Sequence, residues 1–187
     1  MGKNLFNIYV LSDLHLGHWN IIEHAKRPFQ TLHEMDKKLI TNWNRMVRPQ
    51  DMVIVVGDFV WTAGKSDKIK DYLSKLNGRI ILVLGNHDRK GYSWYMTNGV
   101  HFACDRFVWD YNGKRILFVH DPAMVSLEER HKYDYVIHGH QHQNVPFIHY
   151  IEDKTFINVS VENIKYEPCN LITLLSRLTQ GFYKKKE

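Results

Sequence analysis

The chain has 187 residues, 44% hydrophobic and 24% charged, a length and balance that suit one domain with a real buried core. Its formal charge of +5, part of it in the terminal run Lys184–Lys186, is compatible with an anionic substrate but is weak support for nucleic-acid binding. No stretch reaches the roughly 18–20 uninterrupted apolar residues of a membrane span, and two distant cysteines, Cys104 and Cys169, without a CxxC pair, point to a reduced, cytoplasmic protein.

In chain order, residues 5–12 (LFNIYVLS) read as a first strand rather than a signal peptide, since no small-residue cleavage site follows. Residues 31–47 carry Met35, Leu39, Trp43 and Met46 at helical spacing, with Thr31 and Glu34 predicting a capping box. A second strand is expected at 51–58 (DMVIVVGD). A second helix follows at 66–77, with a Ser66 cap and Ile69, Tyr72, Leu73 and Leu76 on one face. A third strand at 79–86 completes an alternation that implies parallel pairing with right-handed crossovers.

The second half changes character. Residues 106–121 hold Asn112-Gly113 between apolar runs, a strong hairpin signal. Further strands are expected at 133–140, 145–161 and 169–176, mostly joined by short turns and mostly antiparallel. We therefore expect an α/β protein whose two sheets pack face to face with helices outside. No repeat or linker argues for a second domain, so residues 1–180 are expected to form one domain and 181–187 a flexible basic tail.

Residues 134–143 (DYVIHGHQHQ) place His138, His140 and His142 at alternate positions, so a continuing strand would line all three on one side. Other predicted strand ends carry Asp13 and His15, then Asp58, then Asn86, His87 and Asp88, then His120. Gly57, Gly85 and Gly139 each precede a candidate ligand, where sharp backbone turns are expected. Each motif alone has a plain alternative: a chance Asp-x-His, a Gly-Asp turn, a helix-cap cluster, a core histidine. Together, at the carboxyl ends of strands, they predict a converging site.

This ordered set resembles the calcineurin-like metallophosphoesterase superfamily. Its motifs D-x-H, G-D, G-N-H-[DE], H and G-H-x-H correspond to Asp13-Leu14-His15, Gly57-Asp58, Gly85-Asn86-His87-Asp88, His120 and Gly139-His140-Gln141-His142. The resemblance runs from residue 10 to about 145. It implies a four-layer α/β/β/α sandwich of two mixed sheets and a dinuclear metal centre. By that resemblance, Asp13, His15, Asp58 and His142 would hold one ion. Asp58, Asn86, His120 and His140 would hold the other, with Asp58 bridging. His87 resembles the residue that protonates the leaving group, with Asp88 fixing its tautomer. His138 matches no motif ligand and is expected to be structural or to hydrogen-bond a ligand.

Mixed carboxylate, imidazole and amide donors without thiolate suit Mn²⁺, the favoured ion, or Fe²⁺, Zn²⁺, Ni²⁺ or Co²⁺. Two such ions about 3.5–4 Å apart can share a hydroxide nucleophile and clamp phosphoryl oxygens. The chain departs from the protein-phosphatase branch, which extends Gly-Asp to G-D-x-x-D-R-G and carries Glu where Asp88 stands; "GDFVWTAG" disfavours that activity. Asp121, ahead of Pro122, is a possible extra negative charge. His18 and Arg27 are candidate phosphate contacts, the alternative being a solvated helix face. Tyr92, Trp94 and Tyr95 could wall a base but more commonly such a cluster is packing. The expected activity is a phosphodiesterase on nucleotide-type substrates. The alternatives are a phosphomonoesterase, a nuclease, or a non-catalytic interaction scaffold on the same fold. Oligomeric state is not legible.

Overall fold

Alternate residues of the apolar runs face opposite ways, and that period of two builds the layers. The computed structural model describes residues 6–61 and 65–183. In its first sheet, β1 (Ile8–Leu11), β2 (Met52–Val56), β3 (Arg79–Val83) and β4 (Phe102–Cys104) run parallel. The expected strand at 5–12 is thus shorter, and its residue 5 lies outside the described residues. Parallel strands need long crossovers. These are supplied by α1 (Ile21–His24) and α2 (Leu32–Met46), by α3 (Ser66–Ser74) and by α4 (Tyr92–Thr97).

Helix α2 starts where its cap signal lies, with Thr31 Oγ1 accepting from the Glu34 N–H at 3.1 Å. The Glu34 carboxylate reaches one residue further back than a capping box requires, to the Gln30 N–H at 2.9 Å. The predicted Ser66 cap is not formed: Lys65 occupies the cap position and Ser66 is already helical.

The second sheet has the order β5-β6-β7-β9-β8. Strands β5 (Arg106–Tyr111) and β6 (Lys114–Val119) form the predicted hairpin, with Asn112 at φ +48° and Gly113 at φ +71° in its two-residue loop. The remaining strands are β7 (Tyr135–His138), β8 (Ile148–Ile151) and β9 (Lys154–Asn158). The expected antiparallel pairing fails in the middle, where β6, β7 and β9 are parallel neighbours. The link from β6 to β7 holds a 3-10 turn at Pro122–Met124 and α5 (Leu127–Arg130), long enough to carry the chain back to the starting edge.

The expected strand at 169–176 is also corrected. Only Cys169–Asn170 pair, as β10 beside β1, and Leu171–Thr179 form α6. Asn170 caps that helix by accepting from the Thr173 N–H at 3.0 Å, and Leu171, Leu174 and Leu175 bury one face. Short apolar runs fit either period, and here the cap decided.

Tyr9, Leu11, Val53, Val55, Ile80 and Leu82 pack with Met35, Leu39 and Trp43 under the helices. Val10, Ile54, Val56 and Val83 face the other way and meet Ile116, Phe118, Ile137 and Ile157 of the second sheet. Leu117, Val119, Val136 and Phe156 form a small outer cluster with Val125. The four-layer sandwich is therefore present, with a thin fourth layer, while α6 joins the cluster between the sheets. Of the expected tail, Tyr183 packs against Phe147 and accepts from the Tyr150 hydroxyl; residues 184–187 lie outside the described residues. Among the described residues no helix is long and apolar enough to cross a membrane.

One end of both sheets is stitched together. The Ser12 N–H donates to Val159 O at 2.9 Å and the Val161 N–H to Ser12 O at 3.1 Å, across the two sheets. The Asp13 N–H donates to Gly57 O at 3.0 Å and the Gly139 N–H to His120 O at 3.1 Å, within each sheet. The predicted site residues follow these strand ends.

Candidate metal centre

The backbone of this rim is bent to present side chains. Asp13, His15, Asp58, His140 and His142 all have φ between +47° and +67°. Non-glycine residues occupy that left-handed region at a cost of roughly 1–2 kcal/mol each, and such strain concentrates at functional sites. These turns end strand alternation after His138, so the three histidines do not share one face. His138 is buried, its Nδ1 against Gly139 O at 2.8 Å and its ring edge-on to His149.

The three glycines act less through turning than through closeness. Only Gly57 among them has positive φ, at +85°. A Cβ at Gly57 would collide with the His120 ring, one at Gly85 with Asp58, and one at Gly139 with Ser12 and Asp13.

Side chains converge as two groups sharing carboxylates. One donor atom from each of Asp13, His15 and His142 lies within 4.8 Å of the others, and the same holds for Asp13, Asp58 and His120. Asp58 Oδ2 stands between the groups, 3.4 Å from His15 Nε2 and 3.3 Å from His120 Nε2. Asn86 Oδ1 lies 3.1 Å from His120 Nε2 and 3.0 Å from His140 Nδ1. His142 Nε2 is 3.8 Å from Asp13 Oδ1. The two sets named from the sequence are thus brought together: Asp13 belongs to both close groups, and Asp58 Oδ2 lies beside one histidine of each set.

Outer contacts fix which ring atoms point inward. His120 Nδ1 lies 2.8 Å from Val56 O, a carbonyl that can only accept, so Nδ1 carries the proton and Nε2 faces the carboxylates. His142 Nδ1 is likewise turned to Glu162 Oε1 at 3.0 Å. Ser160 Oγ donates to Asp13 Oδ2 at 2.8 Å. Burial pushes the Asp13 carboxyl up and the His15 imidazole well down. Burial would also raise Asp58, but the hydrogen bond and charge of His120 hold it well below the carboxylate range. Burial opposes a charged His120, yet its bond to Asp58 and the charge of Asp13 push it up to about 9. A cation in this site would therefore displace a proton.

His87 stands at the edge, its Nε2 4.0 Å from Asp58 Oδ2 and its ring 5.0 Å from Trp61. The expected Asp88–His87 pairing is not made. Asp88 is buried and accepts from the N–H groups of Asp58 at 2.8 Å, Phe59 at 3.1 Å and Gly85 at 2.9 Å. It holds the loop that presents Asp58, while His87 Nδ1 has no hydrogen-bond partner. Burial, helped by the nearby Asp58 charge, pushes the Asp88 carboxyl up to about 7, against the pull of the Gly85 and Phe59 N–H groups.

Of the candidate phosphate contacts, His18 borders the site, its Nδ1 3.2 Å from His15 Nδ1. Burial and the neighbouring His87 push its imidazole down to about 4. Arg27 is corrected: its guanidinium is buried, donating to Leu14 O at 2.9 Å and Asp13 O at 2.6 Å and pairing with Glu162 Oε1 at 2.8 Å. It serves the protein rather than a substrate. The sequence reading missed Glu162, which follows the buried run Ile157–Val161 as the ligands follow theirs; that strand-end position was its signal. Asp121 Oδ2 lies 4.0 Å from His140 Nε2, and Tyr95 is buried against the core with its hydroxyl hydrogen-bonded to Asp88. Burial pushes both cysteine thiols up to about 11, away from thiolate ligation.

Residues 6–161 match the family model described as the calcineurin-like phosphoesterase superfamily domain. The chain belongs to the calcineurin-like phosphoesterase superfamily. It is 37% identical over 179 residues to an uncharacterized protein, MJ1445, of Methanocaldococcus jannaschii, covering 93% of this chain and 92% of that one. Its fold is similar to the crystal structure of AQ665 from Aquifex aeolicus, a protein of unknown function. The TM-score is 0.68 and the identity 26%, over 92% of this chain and 98% of that one. The family implies divalent metal ions, and the residues fit them. His15 Nε2 is buried with no hydrogen-bond partner, aimed between two carboxylates, a placement that a cation would satisfy.

Proposed function

We propose that this calcineurin-like phosphoesterase is a dinuclear, metal-dependent phosphodiesterase acting on nucleotide-type substrates, with Mn²⁺ as the favoured ion. The carrying observation is Asp58 Oδ2, 3.4 Å from His15 Nε2 and 3.3 Å from His120 Nε2. A carboxylate placed between two sets of imidazole and oxygen donors is what a pair of divalent ions needs.

Asp13, His15, Asp58 and His142 would hold one ion, and Asp58, Asn86, His120 and His140 the other. Bound there, the ions supply Lewis acidity, polarising phosphoryl oxygens and making water acidic enough to attack near neutral pH. The chain's own residues do the rest. Glu162 and Val56 O keep the His142 and His120 rings turned inward. Asp88 and Gly85 keep Asp58 in place. His87, partly exposed and not among the ligands, holds the proton that the leaving oxygen receives.

The test is a screen of chelator-treated, Mn²⁺-reconstituted protein against phosphomonoesters, linear and cyclic nucleotides, and oligonucleotides. Diester turnover that follows metal content is the expected result. Preference for monoesters would move the assignment to a phosphomonoesterase. Preference for long strands would make it a nuclease, and no turnover at full metal loading a scaffold.

A further inference from the structure

A cleft of about 320 Å³ opens beside the metal centre, on the side of His87. Its walls include His18, Trp19, Trp61, Lys65, Lys68 and Tyr72. That volume is at the low end for small-molecule sites, roughly 300–1,000 Å³. His18 joins the cleft to the centre, with its ring 5.1 Å from Trp61 and its Nδ1 3.2 Å from His15 Nδ1. The His87 ring meets Trp61 at right angles, 5.0 Å away. The proposed proton donor and the cleft therefore lie on the same flank of the ligands.

The walls are held in place. Buried Asp36 accepts from the Tyr72 hydroxyl at 2.6 Å and from the Gly17 N–H at 3.2 Å, fixing two cleft residues at once. The Trp61 backbone N–H donates to Leu16 O at 2.8 Å, and the Arg89 guanidinium lies 4.9 Å from the ring centre. Trp19, by contrast, is 55% exposed, a large apolar side chain turned to solvent at the rim.

The opposite flank differs in charge. A cleft of about 290 Å³ there is lined by His120, His140 and Asn86 together with the carboxylates of Asp105 and Asp121. Its arginine, Arg106, is engaged by Glu129 at 2.6 Å. An anionic group is favoured beside Lys68 and disfavoured beside the two aspartates.

We propose that the Trp19–Trp61 cleft is the leaving-group subsite and takes a nucleotide: the base against the indoles, a further phosphate against Lys68. This rests on the phosphodiesterase reading above. Water adds to phosphorus, and the bond from phosphorus to the leaving oxygen breaks with its electron pair on oxygen. His87 gives that oxygen a proton, and the proton lost by the attacking water restores the ring. The products are a phosphomonoester and the nucleotide alcohol. Stacking and charge both act on the departing arm, which sits beside the group that protonates it.

The experiment compares Mn²⁺-loaded wild type with the Trp19→Ala/Lys68→Ala double variant on two diesters. One is 5′-phosphorylated diadenylate; the other is bis(p-nitrophenyl) phosphate, whose leaving group has neither base nor second phosphate. The ratio of the two kcat/KM values should fall about tenfold or more in the variant, mainly through KM. An unchanged ratio, or equal loss on both esters, overturns the subsite. In parallel, AMP is titrated calorimetrically into metal-free wild type and variant. Weaker AMP binding in the variant, with an unchanged circular dichroism spectrum, supports the cleft. Equal binding, or none to wild type, overturns it. Should wild type hydrolyse neither ester, the phosphodiesterase reading falls, and the AMP titration still decides the cleft.

Discussion

Asp88 accepts a hydrogen bond from the Asp58 N–H at 2.8 Å, and its carboxylate serves the loop of its neighbour Asp58 rather than the adjacent His87 ring. A side chain that tunes an acid and one that positions a ligand respond differently to substitution. Asp88→Asn turns an amide NH₂ toward backbone donors, leaving at least one N–H unpaired, at about 1–3 kcal/mol. The melting temperature should fall by about 3–9 °C, with weaker metal retention. Rates on alkyl and nitrophenyl esters should drop together. Scanning calorimetry, elemental analysis and the two rates check this; a selective loss on alkyl esters would return Asp88 to the His87 ring.

Asp58→Asn should be the most damaging ligand change, because its Oδ2 is within 3.4 Å of a histidine from each set. Losing that shared negative charge weakens both sites at once. Elemental analysis after dialysis should find less metal than in any single-histidine variant. Cys104→Ser and Cys169→Ser, outside both sets, serve as controls and should retain wild-type metal content.

Glu162 joins buried Arg27 to His142 through one oxygen, at 2.8 Å and 3.0 Å. Burial would raise its carboxyl, but His142 and Arg27 hold it below the ordinary range. Glu162→Gln should weaken metal affinity by about 10–100-fold, as loss of a ligand's carboxylate partner does. In the metal-free variant, the His142 tautomer should also change, read by nitrogen chemical shifts. Arg27→Ala, which strands a buried carboxylate, should cost about 3–5 kcal/mol in urea denaturation.

His87→Ala should keep both metals, whereas His140→Ala or His142→Ala should lower metal content. General acid catalysis contributes about 10²–10⁴-fold and matters most for poor leaving groups. Alkyl-type esters should therefore slow strongly, and nitrophenyl esters much less. Equal slowing with metals intact would make His87 an electrostatic stabiliser, and metal loss would make it a ligand.

Away from the site, Asp51 offers a pH test. Its buried carboxylate accepts from Arg48 and from the N–H groups of Asn7 and Arg48, and Arg48 foremost holds it down to about 2. A folded value below the ordinary 3.8 means that folding favours the charged form. That stability is full above the ordinary value and is lost as pH falls from about 4 to about 2. With Arg48 half exposed, it is worth about 1–2 kcal/mol. Asp51→Asn should be less stable than wild type at pH 7 by that amount, and the gap should close toward pH 2 in urea titrations.

Much of this molecule was legible in short windows. The helix of Met35, Leu39 and Trp43, the Asn112-Gly113 hairpin and the short motifs that carry seven ligand-type residues at strand ends all depend on neighbours a few positions apart. Strand direction in the second sheet did not, because an apolar run reads the same whether its partner is parallel or antiparallel. The run after Cys169 satisfied both periods, and packing between the sheets with the Asn170 cap made it a helix. Arg27 looked like a surface cation because its partner Glu162 stands 135 residues away. Adjacency pairs Asp88 with His87 in the sequence, yet a strand-end turn points its carboxylate at a backbone 30 residues earlier. The sequence by itself determined which chemistry this protein can gather, since donor types and strand ends are local. Only the tertiary structure decided which groups face the centre and which hold them there, since those partners meet only after the two sheets pack.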